Sequence, residues 1–190
     1  MARPRRGSGE PSPRDRLACA FWRQLGAMPF SEMTVRGIAL EAGVNHNTFY
    51  RHFASIEDMA RRLFDDSVFD ALPAALLDAD DADERVAAIM ASNIASADMS
   101  KAALYARSGS ELLVGLVRDA LERAWLDAAR IEEGALDEVQ RVDLSIVFGG
   151  IVAAMADPRI EPSPEVFAGV VSRPLGRGML ETLAAMGATP

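Results

Sequence analysis

A chain of 190 residues with 49% apolar and 25% charged side chains is long enough to bury one core or two small ones, which excludes a fibre or a disordered protein. Its single cysteine, Cys19, excludes an internal disulfide and any cysteine-cluster metal site. The formal charge of -8 is unevenly spread: residues 1–62 hold ten arginines against six acids, net +4, and residues 63–190 hold ten basic residues against 22 acids, net -12, so only the first third is suited to approach a polyanion.

Period-two runs of β-branched residues are missing, and apolar spacing of i, i+3, i+4 predicts an all-α chain of about nine helices. Residues 1–12, rich in Arg, Pro, Gly and Ser, are expected to be a disordered basic tail. Its Arg3, Arg5 and Arg6 are either solvated or an arm that reaches a polyanion. Ser12, Pro13 and Asp15 then supply an N-cap, a proline at the first helical position and a capping-box acid, with Leu17, Phe21 and Leu25 at helical spacing behind them. Gly26 and Pro29 end this helix. Thr34 caps a short second helix through Leu40, "EAGV" makes a turn, and a third short helix runs from about Asn45 to Phe53. Ser55-Ile56-Glu57-Asp58 is a further capping box, opening a fourth helix to about Leu72.

Pro73 and the acidic "DADDADE" loop separate this region from a second helical one. An EF-hand calcium loop needs Gly at its sixth position and Glu at its twelfth, where this chain has Asp83 and Ile89, so the acids are assigned to the N-terminus of the next helix. Helices are expected at about 83–97, 100–107, 109–130, 136–157 and 164–187. The last keeps one apolar stripe from Phe167 to Met186, and Pro174 within it demands a kink or break.

The stretch "TVRGIALEAGVNHNTFYRHF" at 34–53 carries the clearest chemistry. Two short helices dock steeply only with a small residue at their crossing and a positive-φ residue in the turn, roles that fit Ala39 and Gly43. Ile38, Val44 and Phe49 make the inner face. Asn45, His46, Asn47, Thr48 and Arg51 then project outward, either to read a major groove or merely to be wetted.

Thr34, Ile38-Ala39, Ala42-Gly43-Val44, Thr48-Phe49-Tyr50 and His52-Phe53, with Gly26 before and Glu57 and Met59 after, resemble the N-terminal helix-turn-helix of the TetR family of bacterial transcriptional regulators. The resemblance spans about residues 14–64. It implies a three-helix DNA-binding domain at 13–60 and a helical ligand-binding and dimerisation domain at 61–190. By position, it makes Thr34 and Arg36 phosphate contacts, Asn45, His46, Asn47 and Thr48 base readers, and Tyr50 and His52 phosphate contacts. The family commonly has Lys where Ile56 stands, so that contact is lost or passes to the backbone N–H groups at the start of the fourth helix. Arg, Lys, Gly, Ala or Pro often stands at positions 46 and 47, so "NHN" implies an unusual operator.

For residues 61–190 the resemblance implies a small-molecule effector and a two-fold dimer through the last two long helices. The residues allow this independently: Gly149, Gly150, Ala153 and Ala154, and then Gly169, Gly176 and Gly178, permit close approach across an axis or packing within one subunit. Asn93 and Asp143 lie centred on apolar stripes and must pair internally or meet a ligand. Met90, Met99, Tyr105, Trp125, Phe148 and Met155 either line an apolar cavity with them or fill plain core.

The expected function is therefore a ligand-responsive, homodimeric DNA-binding regulator that represses from a pseudo-palindromic operator, with a DNA-bound adaptor lacking an effector as the alternative. No catalytic fingerprint is found, and both histidines lie in the helix-turn-helix without ligand-spaced partners, so no enzyme, cofactor or metal site is expected. Apolar runs such as "IVFGGIVAAMA" at 146–156 fall short of the roughly 20 residues that span a bilayer, and no apolar signal core follows the N-terminus, so a cytoplasmic protein is expected.

Overall fold

The computed structural model describes residues 11–65, 69–91, 96–161 and 163–187. Among these residues there are eleven α-helices and no strand, which meets the all-α expectation and raises the helix number. In chain order they are α1 (Pro13–Leu25), α2 (Val35–Glu41), α3 (His46–Tyr50), α4 (Ile56–Leu63), α5 (Ala71–Leu77), α6 (Ala82–Ala91), α7 (Ser96–Arg107), α8 (Glu111–Ala129), α9 (Glu138–Ala156), α10 (Pro164–Val171) and α11 (Pro174–Gly187). The chain divides into two compact units, Met1–Leu63 and Phe64–Pro190.

The two extra helices are α5, which lies mostly beyond the expected end of the fourth helix, and the second piece of the last one. The fourth helix stops at Leu63 rather than Leu72, and Asp65 just beyond it combines low helix propensity with negative charge at a helix C-terminus. Pro73, read as a terminator, instead sits buried in the first turn of α5, where a missing N–H costs nothing. The last predicted helix breaks as expected, α10 ending at Val171 and α11 opening on Pro174.

In the first unit α1 packs on α2 and α3, and α2 on α3. Ser12 and Asp15 form the reciprocal box foreseen at the start of α1. Leu17, Phe21, Ile38, Phe49 and Met59 are fully buried, and nearly buried Ala39 is the small residue on the inner face of α2. A pairing not foreseen ties α1 to the end of α2: buried Gln24 donates from Nε2 to Glu41 Oε2 at 2.9 Å, while Arg23 approaches the other oxygen at 3.5 Å.

In the second unit α8 packs against α5, α7 and α9, while α10 lies on α6 and α11 closes against α8, α9 and α10. The main core cluster joins Ile89, Trp125, Leu126, Leu144, Phe148, Ala168 and Leu183. The acidic loop feeds α6 as expected, since Asp81 Oδ1 accepts from the N–H groups of Asp83 and Glu84, and Glu84 accepts from Asp80 N–H. The Arg107 guanidinium at the end of α7 donates to the carbonyls of Met155, Asp157 and Ile160, which clamps the end of α9 and the following turn.

Arg130, the C-cap of α8, stands in the left-handed region at φ 58° and ψ 39°, where a Cβ is strained and glycine is not. Arg130→Gly is therefore expected to raise stability by about 1 kcal/mol, read as a higher midpoint in urea unfolding; a lowered midpoint would show that its side chain matters more than the backbone strain.

Candidate nucleic-acid interface

The turn between α2 and α3 follows from three local devices. Thr34 caps α2, its Oγ1 accepting from Gly37 N–H at 3.0 Å. Gly43 takes φ 62°, the positive value that the turn requires. Asn45 caps α3, its Oδ1 accepting from Asn47 N–H at 2.8 Å. Capping starts a five-residue helix that intrinsic propensity alone would not hold, and α3 ends at Tyr50 rather than at Phe53.

Phe49 anchors this helix inward, packing on Phe53 with ring centroids 5.7 Å apart. Outward, Asn45, His46, Asn47, Tyr50 and Arg51 are exposed and Thr48 is half-buried. The His46 imidazole meets the Tyr50 ring edge-on at 5.5 Å, one helical turn away, so the two side chains orient each other. Thr34 and Arg36 are exposed at the start of α2. His52 is half-buried beside Phe53, with ring centroids 6.4 Å apart, so its ring is in part an inner packing group.

At the start of α4 the contact missing at Ile56 is either lost or passed to backbone donors, and two of those donors are already engaged: Asp58 Oδ2 accepts from Ala54 N–H at 2.9 Å, and Ser55 Oγ accepts from Asp58 N–H at 3.1 Å. The Ala54 hydrogen bond holds the Asp58 carboxyl below its usual pKa, and hydrogen bonds from Ser55 and its own N–H do the same for Glu57. Two ionised carboxylates at this helix start oppose a phosphate, whose charge they would repel.

Residues 20–63 match the family model described as bacterial regulatory proteins, tetR family. This N-terminal domain belongs to the TetR family. The chain that carries it is a DNA-binding transcriptional regulator. No curated protein and no solved structure matches the chain. The TetR-family match ends where the first compact unit ends, at Leu63, and the second unit stands on its own geometry.

In that unit the residues read as effector-facing fall into separate places. Trp125 and Phe148 share the main core cluster, whereas Met99, Tyr105 and Met155 are buried outside it. The Tyr105 ring lies 5.1 Å from that of Phe64, and burial pushes its hydroxyl pKa well up, so it stays neutral. Met90 is 49% exposed, Asp143 is half-buried, and Asn93 falls outside the described residues. An open cleft of about 200 Å³ is lined by Phe64, Leu116, Asp119, Ala120 and Arg123, none of which sequence reasoning singled out. Arg123 spans its rim, 3.3 Å from Asp70 and 3.6 Å from Asp127. Two buried donors, Arg85 Nε and Trp125 Nε1, have no acceptor among the described residues.

Proposed function

We propose that the chain is a homodimeric, effector-responsive repressor that places its two α3 helices about one duplex turn apart, ~34 to 36 Å, on a pseudo-palindromic operator. The observation that carries the dimer is α9. Its inner side supplies Leu144, Val147, Phe148, Val152 and Met155 to the core, yet Val139, Val142 and Ile146 are 69%, 52% and 67% exposed, and Gly150 and Ala153 continue the row. Such a row, at spacings of three and four, suits an identical helix across a two-fold axis.

At 19 residues α9 is also long and apolar enough to cross a bilayer, more so than the run at 146–156 suggested. Arg141 and Asp143 on its surface favour a second copy over lipid, and a cytoplasmic protein is the reading that agrees with a DNA-binding domain. Asp143, flanked by this row, is then read as an interface residue rather than an effector contact.

The effector reading draws on the unpartnered Trp125 and Arg85 donors, which suit a ligand bearing acceptor oxygens. The ligand would act through unequal affinity for two conformations. The alternative is a DNA-bound adaptor that lacks an effector. Native mass spectrometry of protein purified from its own host separates the two, since a stoichiometric small molecule supports the repressor and its consistent absence the adaptor.

Ile146→Arg tests the dimer. Charge in the middle of the row is expected to leave the helix folded, shift sedimentation from dimer to monomer, and weaken operator binding at least tenfold in gel shifts on the chain's own upstream region. A monomeric wild type that binds with full affinity, or no salt-sensitive and sequence-selective binding at all, would sink the proposal.

A further inference from the structure

Two asparagines, Asn45 and Asn47, stand two residues apart on the exposed side of the reading helix, and they are not equivalent. An Asn side chain reads adenine by using both ends at once: its Oδ1 accepts from N6 while its Nδ2 donates to N7. Asn45 is committed to the helix end. Its Oδ1 accepts from Asn47 N–H at 2.8 Å, which is the bond that starts α3, so its amide is held against the backbone with one lone pair of that oxygen occupied and cannot turn freely to a base edge. The Asn47 side chain makes no hydrogen bond among the described residues, and the residue is exposed.

Direction separates them from the other candidates too. At about 100° per residue, Asn47 lies about 160° around the helix from Phe49, against about 60° for His46 and about 100° for Thr48 and Tyr50. Phe49 is fully buried, so Asn47 points most directly away from the core. Arg51 shares that direction one turn later and is suited to phosphate or guanine rather than adenine. His46 leans on Tyr50 instead.

Resting on the DNA-binding reading above, we infer that Asn47 is the base-specifying amide of this protein, pairing in a bidentate manner with one adenine in each half-site, while Asn45 is a cap that positions it. Asn45 then contributes affinity through helix order and phosphate contact, but no base preference.

Selection from a random duplex pool with the full chain tests this, using the wild type, Asn47→Ala and Asn45→Ser, the last because serine also caps well. The wild type should enrich an adenine at one position of each half-site with at least about fivefold discrimination. Asn47→Ala should lose preference at that position while keeping the others, and Asn45→Ser should keep it. Because serine keeps the cap at position 45 and Asn47 is exposed, all three proteins should melt together. Loss of the adenine preference in Asn45→Ser but not in Asn47→Ala would overturn the assignment. So would an Asn47→Ala effect that weakens every sequence equally. A wild type that enriches no sequence would overturn the underlying DNA reading as well, which distinguishes the two failures.

Discussion

Phe49→Ala is expected to abolish operator binding by unfolding the first unit while leaving the second folded. Phe49 is fully buried, its ring lies 5.7 Å from that of Phe53 and meets Tyr50 edge-on at 5.5 Å, and it is the one buried side chain within α3. Truncating such a ring to a methyl costs ~3 to 5 kcal/mol through lost transfer energy and the cavity left behind. A unit ending at Leu63 has little stability in reserve, because small domains bury a smaller share of their surface. Helix α3 has only five residues and survives by its Asn45 cap and its Phe49 anchor, so losing the anchor removes the reading surface itself. Circular dichroism should show a partial loss of helix, and proteolysis should trim the chain to a fragment beginning near Phe64. Unchanged melting with full operator affinity would refute this account of the helix.

Gly176→Ala should reverse the usual rule for glycine in a helix. Exchanging a helical glycine for alanine normally gains up to ~1 kcal/mol. At Gly176, in the first turn of α11, an added Cβ would press into the carbonyl of Val170, lying 2.7 Å from its carbon and 2.8 Å from Val171 Cα. These are backbone atoms at the end of α10 and cannot swing aside, so the two helices must separate. A cost of about 3 kcal/mol is expected, at the upper end of overpacking effects. Gly115 in α8 is the control: a Cβ there meets nothing within 4 Å, so Gly115→Ala should be neutral or stabilising. Equal urea midpoints for the two variants would show that the α10–α11 corner yields more easily than its geometry implies. Of the two roles that the sequence leaves open for Gly176, a symmetry axis or packing within one subunit, the geometry takes the second, whereas Gly149, Gly150, Gly169 and Gly178 have open space where a Cβ would stand.

What the sequence disclosed follows from how far each cause reaches along the chain. The turn at Gly43, the Thr34 cap and the Ser12 box depend on residues at most three or four apart, and each could be named beforehand. The break at Pro174 is equally local. The end of α4 was missed because apolar spacing continues past Leu63 to Phe69 and Leu72, while the acids that stop the helix interrupt it only weakly. Gln24 sits at helical spacing from Leu17 and Phe21, so its burial was foreseeable, but its partner Glu41 lies 17 residues away. The outward row of α9 escaped the sequence, because Val139 and Ile146 share an apolar stripe there with buried Val147, and only the fold shows which of them face outward.

The Arg107 clamp lies beyond sequence reading for the same reason, with acceptors 48 to 53 residues away. Its meaning is dynamic. A lysine could satisfy one carbonyl as a point charge, but three acceptors spread over six residues need the planar fork of a guanidinium. The last turn of α7 and the segment from Met155 to Ile160 are thereby joined into one cooperative unit. Fraying of either would break bonds shared with the other, so the exit from α9 is expected to open together with the end of α7 rather than alone.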